Sequence, residues 1–104
     1  MRVELLYWDG DPDYMAARQN LVEVLTEDAF ETTIQMIAVA SQADADFLSF
    51  RGSPTIRIDG RDIHETDAPV GLHRRFYPDG SGVPDKQLIR RAVERARGWS
   101  HGRR

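Results

Sequence analysis

The sequence contains no cysteine in 104 residues, so the chain forms no disulfide, no thiolate metal site and no thiol–disulfide exchange centre. It has no apolar run near the roughly 18 residues that a membrane-spanning helix requires. Residues 1–20 carry acidic side chains instead of the basic start and apolar stretch of a secretory signal. We therefore expect a full-length, single-domain cytoplasmic protein that makes no membrane contact.

Basic residues are concentrated in the second half of the chain. Residues 1–50 hold 10 acidic residues and 2 arginines, a net charge of −8, whereas residues 51–104 hold 7 acidic and 12 basic residues, a net charge of +5. Because both halves must pack together, this asymmetry predicts a folded dipole whose halves attract each other. Nucleic-acid binding is not expected, since the pI is about 5.5 and aromatic residues do not alternate with the basic ones.

Apolar periodicity and turn residues predict the element order β-α-β-α-β-β-α, an α/β fold with a four-stranded mixed sheet flanked by helices. Strands are expected over residues 2–8, 32–39, 55–58 and 72–77, and helices over residues 12–28, 41–48 and 84–98. Residues 61–64 are compatible with a further strand after a turn expected at Asp59-Gly60. Ser41 and Asp44 are expected to form the cap of the second helix. The last helix is expected to bury an apolar stripe of Leu88, Ile89, Ala92, Val93 and Ala96. Asp11 is expected as the N-cap of the first helix, with Pro12 at its first position.

Four segments carry a resemblance to a known group of proteins. They are Asp9-Gly10-Asp11-Pro12, Phe50-Arg51-Gly52-Ser53-Pro54-Thr55, Asp59-Gly60-Arg61-Asp62 and Gly71-Leu72-His73-Arg74-Arg75-Phe76-Tyr77. Together with the element order, they resemble the thioredoxin-like superfamily, and more narrowly its small actinobacterial-type thioredoxin family proteins. The resemblance implies one thioredoxin-like domain over residues 1–98, which leaves residues 99–104 as a flexible basic C-terminal tail.

The same resemblance implies that Pro54 is the cis-proline at the active-site edge of the fold, and that Asp11 and Arg74 stand where the family has two cysteines. Since no thiolate is present, thiol–disulfide exchange is not carried over, and the chain is expected to be redox-inactive. One hypothesis replaces the cysteine pair by an Asp11–Arg74 ion pair, and its alternative is two solvated charges. Asp11 is likewise either an electrostatic substitute for a thiolate or a helix cap.

Two functions are compatible with these residues. The first is a binding module for a protein partner or a small ligand at the former active-site edge. Its candidate binding residues are Trp8, Asp11, Asp13, Ser53, Pro54 and Arg74. The second is an enzyme without a thiol that acts on a small thiol or anionic substrate through Asp11, His73 and Arg74. No cofactor is expected, and the sequence is compatible with a homodimer without requiring one.

The alternating carboxylates of Asp9, Asp11 and Asp13 suggest two further sites. A calcium loop of the EF-hand kind is excluded, because Tyr14 replaces its glycine and Asn20 its final glutamate. Asp9 and Asp11 match the nucleophile and acid of an aspartate-dependent phosphatase, but the chain is too short for that family's other catalytic groups. A weak divalent-cation site at the three carboxylates is a minor alternative, and no metal site is expected.

Overall fold

The computed structural model describes residues 1–98, and the predicted flexible tail at 99–104 lies outside the described residues. Six strands and three helices make up this part of the chain. In chain order they are β1 Val3–Tyr7, α1 Tyr14–Glu27, β2 Ile34–Ala38, α2 Gln42–Leu48, β3 Arg51–Ser53, β4 Thr55–Ile58, β5 Arg61–Asp62, β6 Gly71–Arg74 and α3 Lys86–Gly98. The described residues therefore form an α/β structure, as the sequence pattern predicts.

The main sheet has four strands in the order β2-β1-β4-β5. Strands β1 and β2 are parallel, with α1 as their crossover, whereas β1 and β4 are antiparallel and so are β4 and β5. This arrangement confirms the predicted four-stranded mixed sheet. The central strand β1 is apolar at Val3, Leu5 and Leu6, which are all buried, because both of its faces are covered.

The fourth strand of the main sheet is β5 and not the segment 72–77 that the sequence pattern predicts. Asp59 and Gly60 have φ values of +53° and +83°, and this tight turn returns the chain so that Arg61 pairs with Ile58. Strand β6 instead pairs in parallel with β3 and forms a separate two-stranded sheet. The prediction for residues 72–77 is therefore wrong in two respects, because the strand belongs to a different sheet and ends at Arg74.

Helices cover the two faces of the main sheet. Helices α1 and α3 pack on one face, where their apolar stripes join Leu5 and Ile56 in one core cluster. Helix α2 packs on the other face, where Ala45 meets Leu6 and Phe50. The stripe predicted for α3 is confirmed, because all of its residues are buried or partly buried against the first cluster: Leu88, Ile89, Ala92, Val93 and Ala96.

Ion pairs between α1 and α3 join the acidic and basic halves of the chain. Lys86 Nζ lies 2.8 Å from Glu27 Oε2 and 3.2 Å from Glu23 Oε1. Arg90 pairs with Glu27 and, at 3.8 Å, with Asp28. Hydrogen bonds from Gln19 and Lys86 lower the pKa of Glu23, and the hydrogen bond from Lys86 lowers the pKa of Glu27. In turn, the carboxylates of Glu27 and Glu23 raise the pKa of Lys86. The expected attraction between the two halves is thus present as specific contacts.

Candidate functional site

Asp11 lies in the loop between β1 and α1, and only 2% of its surface is exposed. Its Oδ2 accepts a hydrogen bond of 2.7 Å from the hydroxyl of Ser53, and its Oδ1 accepts one of 2.9 Å from the backbone amide of Asp13. The Asp11 amide itself donates to the Trp8 carbonyl at 2.9 Å. These contacts satisfy a buried carboxylate that would otherwise be costly to remove from water, so Asp11 ties its loop to β3.

The first helix begins later than the sequence pattern indicates. Helix α1 starts at Tyr14, and the residue before it is Asp13, whose side chain makes no capping hydrogen bond. The expectation that Asp11 caps this helix is therefore wrong. Its carboxylate instead closes a local turn onto Asp13, a contact that short acidic side chains make readily outside helices.

Arg74 pairs with Asp13, and residues 1–98 contain no Asp11–Arg74 ion pair. Arg74 Nη2 lies 2.8 Å from Asp13 Oδ2, and 44% of the arginine side chain and 27% of the aspartate side chain are exposed. The Asp13 carboxylate is also covered by the loop after β6, because a Cβ atom on Gly82 would lie 2.3 Å from Asp13 Oδ2. Asp11 is thus buried whereas Arg74 is at the surface, and the hypothesis of an Asp11–Arg74 ion pair is wrong.

Ser53 and Pro54 lie at the junction between β3 and β4, and both are buried. The Ser53–Pro54 peptide bond is cis. Besides donating to Asp11, the Ser53 hydroxyl accepts a hydrogen bond of 3.0 Å from the Trp8 amide. Trp8 is half-buried against the cluster under α2, and its indole lies so close to Gly10 that a Cβ there would overlap the ring. Ser53 therefore links the Asp11 loop and the end of β1 to the junction between β3 and β4.

His73 lies on β6 with main-chain oxygens at both ring nitrogens. Its Nε2 lies 2.8 Å from the carbonyl oxygen of Pro69, and its Nδ1 lies 3.0 Å from that of Arg74. The ring packs on Gly52, where a Cβ would lie 2.7 Å from His73 Cε1. Carbonyl oxygens only accept hydrogen bonds, so the imidazole can donate to the main chain, which holds the ring against the backbone.

Arg75 is the residue of this region that sequence reasoning missed. Its side chain is 2% exposed and forms a bidentate pair with Asp62, with N–O distances of 2.8 Å and 3.0 Å. It also donates to Thr55 Oγ1 at 3.2 Å and to the His64 carbonyl. The sequence signal was weak, because Arg74 and Arg75 are adjacent and nothing local shows which of them turns inward.

Tyr77 completes the buried network around Pro54. Its hydroxyl donates a 2.6 Å hydrogen bond to the Pro54 carbonyl, and the Arg75 guanidinium carbon lies 4.7 Å from the centre of its ring. Burial raises the pKa of the Tyr77 hydroxyl well above its usual range, an effect that the positive charge of Arg75 only partly offsets. Tyr77 therefore acts as a hydrogen-bond donor from the core to the segment around Pro54.

Metal binding and phosphatase chemistry find no support in the acidic loop. Within residues 1–98, no group of three histidine, aspartate or glutamate side chains is arranged to hold a metal ion. Asp11 is enclosed by its two donors and Asp13 is paired with Arg74. The three carboxylates of Asp9, Asp11 and Asp13 thus do not converge on one cation.

Comparisons with protein-family models, with curated proteins and with solved structures give no match for this chain. Among residues 1–98, no helix has both the length and the apolar character needed to cross a bilayer. The candidate site is therefore argued from its own geometry. Its surface consists of Arg74 and Asp13 together with Phe76, which is 57% exposed and whose ring centre lies 5.2 Å from the Arg74 guanidinium carbon.

Proposed function

We propose that the chain is a redox-inactive thioredoxin-fold protein, and that it binds an extended segment of a partner protein beside β6, Arg74 and Phe76. The observation that carries the proposal is the exposed Arg74–Phe76 pair next to a strand with an unpaired edge. This surface is called the β6 edge below. It corresponds to the former active-site edge that the sequence resemblance implies.

The sheet arrangement supports the thioredoxin-like part of the proposal. A parallel β1–β2 pair joined by α1, followed by two antiparallel strands in the order β2-β1-β4-β5, is the arrangement that the resemblance implies. Pro54 immediately precedes β4. The absence of cysteine removes thiol–disulfide exchange whatever the fold, because that reaction needs an attacking thiolate.

The side-chain contacts weigh against the alternative of an enzyme without a thiol. Both oxygens of Asp11 accept hydrogen bonds from the protein, and both ring nitrogens of His73 lie against backbone carbonyls. Arg74 is the one member of that set at the surface, and it is paired with Asp13. A general acid or base must reach the proton that it transfers, which these contacts hinder for Asp11 and His73.

The β6 edge has the features of a site for an extended peptide. Among the described strands, β6 pairs with β3 alone, so its other edge has no strand neighbour. An unpaired edge offers backbone donors and acceptors to an added strand. Arginine and aromatic side chains are frequent energetic centres of protein interfaces, and Arg74 and Phe76 provide one of each.

Peptide selection tests the proposal directly. Linear peptides selected from a random phage-displayed library against the whole chain would be labelled and their affinities measured by fluorescence anisotropy. We expect Arg74→Ala and Phe76→Ala each to weaken the selected peptides about tenfold or more, which corresponds to about 1.4 kcal/mol at an interface centre. The matched control is Phe47→Ala, because Phe47 is an 88% exposed aromatic on α2.

Three results would contradict the proposal. One is peptide affinity that is unaffected by Arg74→Ala and Phe76→Ala. Another is an equal loss in the Phe47→Ala control. The third is turnover in an insulin disulfide-reduction assay, which would refute redox inactivity.

A further inference from the structure

A second candidate site lies away from the β6 edge, between β5 with the residues that follow it and the outer side of α3. The cleft has a volume of about 560 Å³ and is open to solvent. Its lining residues are Ile58, Arg61, Asp62, Ile63, His64, Glu65, Leu88, Arg91, Ala92, Arg95 and Ala96. The volume is within the range of small-molecule sites, which is roughly 300–1,000 Å³.

Three arginines around this cleft lack a carboxylate partner. Arg61, Arg91 and Arg95 form no ion pair with any of residues 1–98, and Arg95 makes one long hydrogen bond of 3.4 Å to the Ile63 carbonyl. By contrast, other arginines of the chain are paired, as in Arg74–Asp13, Arg75–Asp62 and Arg90–Glu27. Guanidinium groups gathered without acidic partners create a local positive potential in a chain of net charge −3.

The acidic residues of the lining do not cancel this charge. Asp62 is already neutralised by its bidentate contact with the buried Arg75. Glu65 is the one other carboxylate in the lining, so three guanidinium groups face one unpaired acid. The cleft therefore favours a ligand that carries about two negative charges.

Apolar side chains lie beside the charged ones in the lining of the cleft. Ile58, Ile63 and Ala92 are buried, whereas Leu88 and Ala96 are partly buried against the same core. Leu88, Ala92 and Ala96 are spaced four residues apart and lie on one face of α3, with Arg91 and Arg95 along the neighbouring stripe. An apolar strip bordered by guanidinium groups suits a ligand with an apolar body and a charged end.

We propose that this cleft binds a phosphate monoester with an apolar substituent. Three guanidinium groups can pair with the three terminal oxygens of a phosphate dianion, whereas a carboxylate offers two oxygens and one charge. The apolar substituent would cover the strip of Leu88, Ala92 and Ala96. This site shares no residue with the β6 edge, so the ligand proposal can be tested independently of the partner-binding proposal.

Phenyl phosphate is the probe, and inorganic phosphate and benzoate are the comparison compounds. We expect isothermal titration calorimetry on the whole chain to rank phenyl phosphate first, because it alone combines the dianion with an apolar ring. The double variant Arg91→Gln, Arg95→Gln should lose at least tenfold in affinity for phenyl phosphate. Arg18→Gln is the matched control, since Arg18 lies on α1 and does not line the cleft.

Amide chemical shifts give a second measurement that needs no variant. Phenyl phosphate added to the ¹⁵N-labelled wild-type chain should shift the amides of residues 61–65 and 88–96 and leave those of residues 71–76 unchanged. Shifts centred on residues 71–76 would overturn the proposal. Equal affinity for phenyl phosphate and inorganic phosphate, or an equal loss in Arg18→Gln and the double variant, would do so as well.

Discussion

Replacing Asp62 by Asn tests the buried network beneath the candidate site. The change keeps the shape of the side chain but removes the negative charge that two nitrogen atoms of Arg75 contact at 2.8 Å and 3.0 Å. The Arg75 side chain is 2% exposed, so its positive charge would stay in the interior without a counter-charge. We therefore expect Asp62→Asn to destabilise the fold strongly.

The size of the effect follows from the burial of the two partners. Removing one partner of a fully buried ion pair costs about 3–5 kcal/mol. Asp62 is 22% exposed, and Asn keeps one oxygen that can still accept from Arg75, so water and this oxygen recover part of the loss. We expect the free energy of unfolding to fall by about 2–3 kcal/mol, within the range for losing charged hydrogen bonds.

Urea unfolding followed by circular dichroism measures this change, and a double-mutant cycle assigns it. In the Arg75→Met background the buried guanidinium is absent, so Asp62→Asn leaves no unpaired cation and should cost less by about 2 kcal/mol. Asp13→Asn is the matched control, because it breaks the exposed pair with Arg74 and should cost no more than about 1 kcal/mol. The reasoning is refuted if Asp62→Asn costs no more than the control, or costs the same in both backgrounds.

Three further predictions concern other contacts. Asp11→Ala should lower the free energy of unfolding by about 2–3 kcal/mol in urea titrations, because the buried Ser53 hydroxyl and the partly buried Asp13 amide lose their acceptor. Asp11→Asn should cost under about 1.5 kcal/mol, and equal costs for the two variants would contradict this account. The hydrogen bond from Lys86 lowers the pKa of Glu27, so the wild-type chain should be more stable than Glu27→Gln at neutral pH. This difference in stability should vanish as the pH falls through the lowered pKa, and a difference that does not depend on pH would contradict the prediction. Gly52→Ala should lower the melting temperature in calorimetry, because φ is +108° and a Cβ would lie 2.7 Å from His73; an unchanged melting temperature would contradict this.

Local signals predicted much of the fold. The Ser41 hydroxyl accepts from the Asp44 amide at 3.1 Å, as the spacing of these residues predicts for the start of α2. The turn at Asp59 and Gly60 is where the pattern places it, and it joins β4 to β5. The stripe of α3 is regular enough to identify its buried face. Each of these features depends on residues within a few positions of one another, so a single sequence is sufficient to identify them.

The wrong predictions concern side chains whose partners lie far away in the sequence. Arg74 and Asp13 are 61 positions apart, and their pairing depends on the loop after β6, which brings Gly82 against Asp13. The predicted start of α1 is too early, because the local pattern favours Asp11 as a helix cap. Periodicity does not reveal the actual role of Asp11, since the hydroxyl that binds its carboxylate is 42 positions away.

The two buried networks converge on the short segment that contains Pro54. From one side, Asp11 binds the Ser53 side chain; from the other, Tyr77 binds the Pro54 carbonyl and the Arg75 amide donates to the Ser53 carbonyl at 2.8 Å. The segment is thus fixed by polar contacts from both sides. A rigid segment beneath exposed side chains reduces the conformational entropy lost on binding, so this arrangement suits a surface that recognises a partner. It also separates the effects of mutation: changes beneath the edge should alter stability, and changes on it should alter binding.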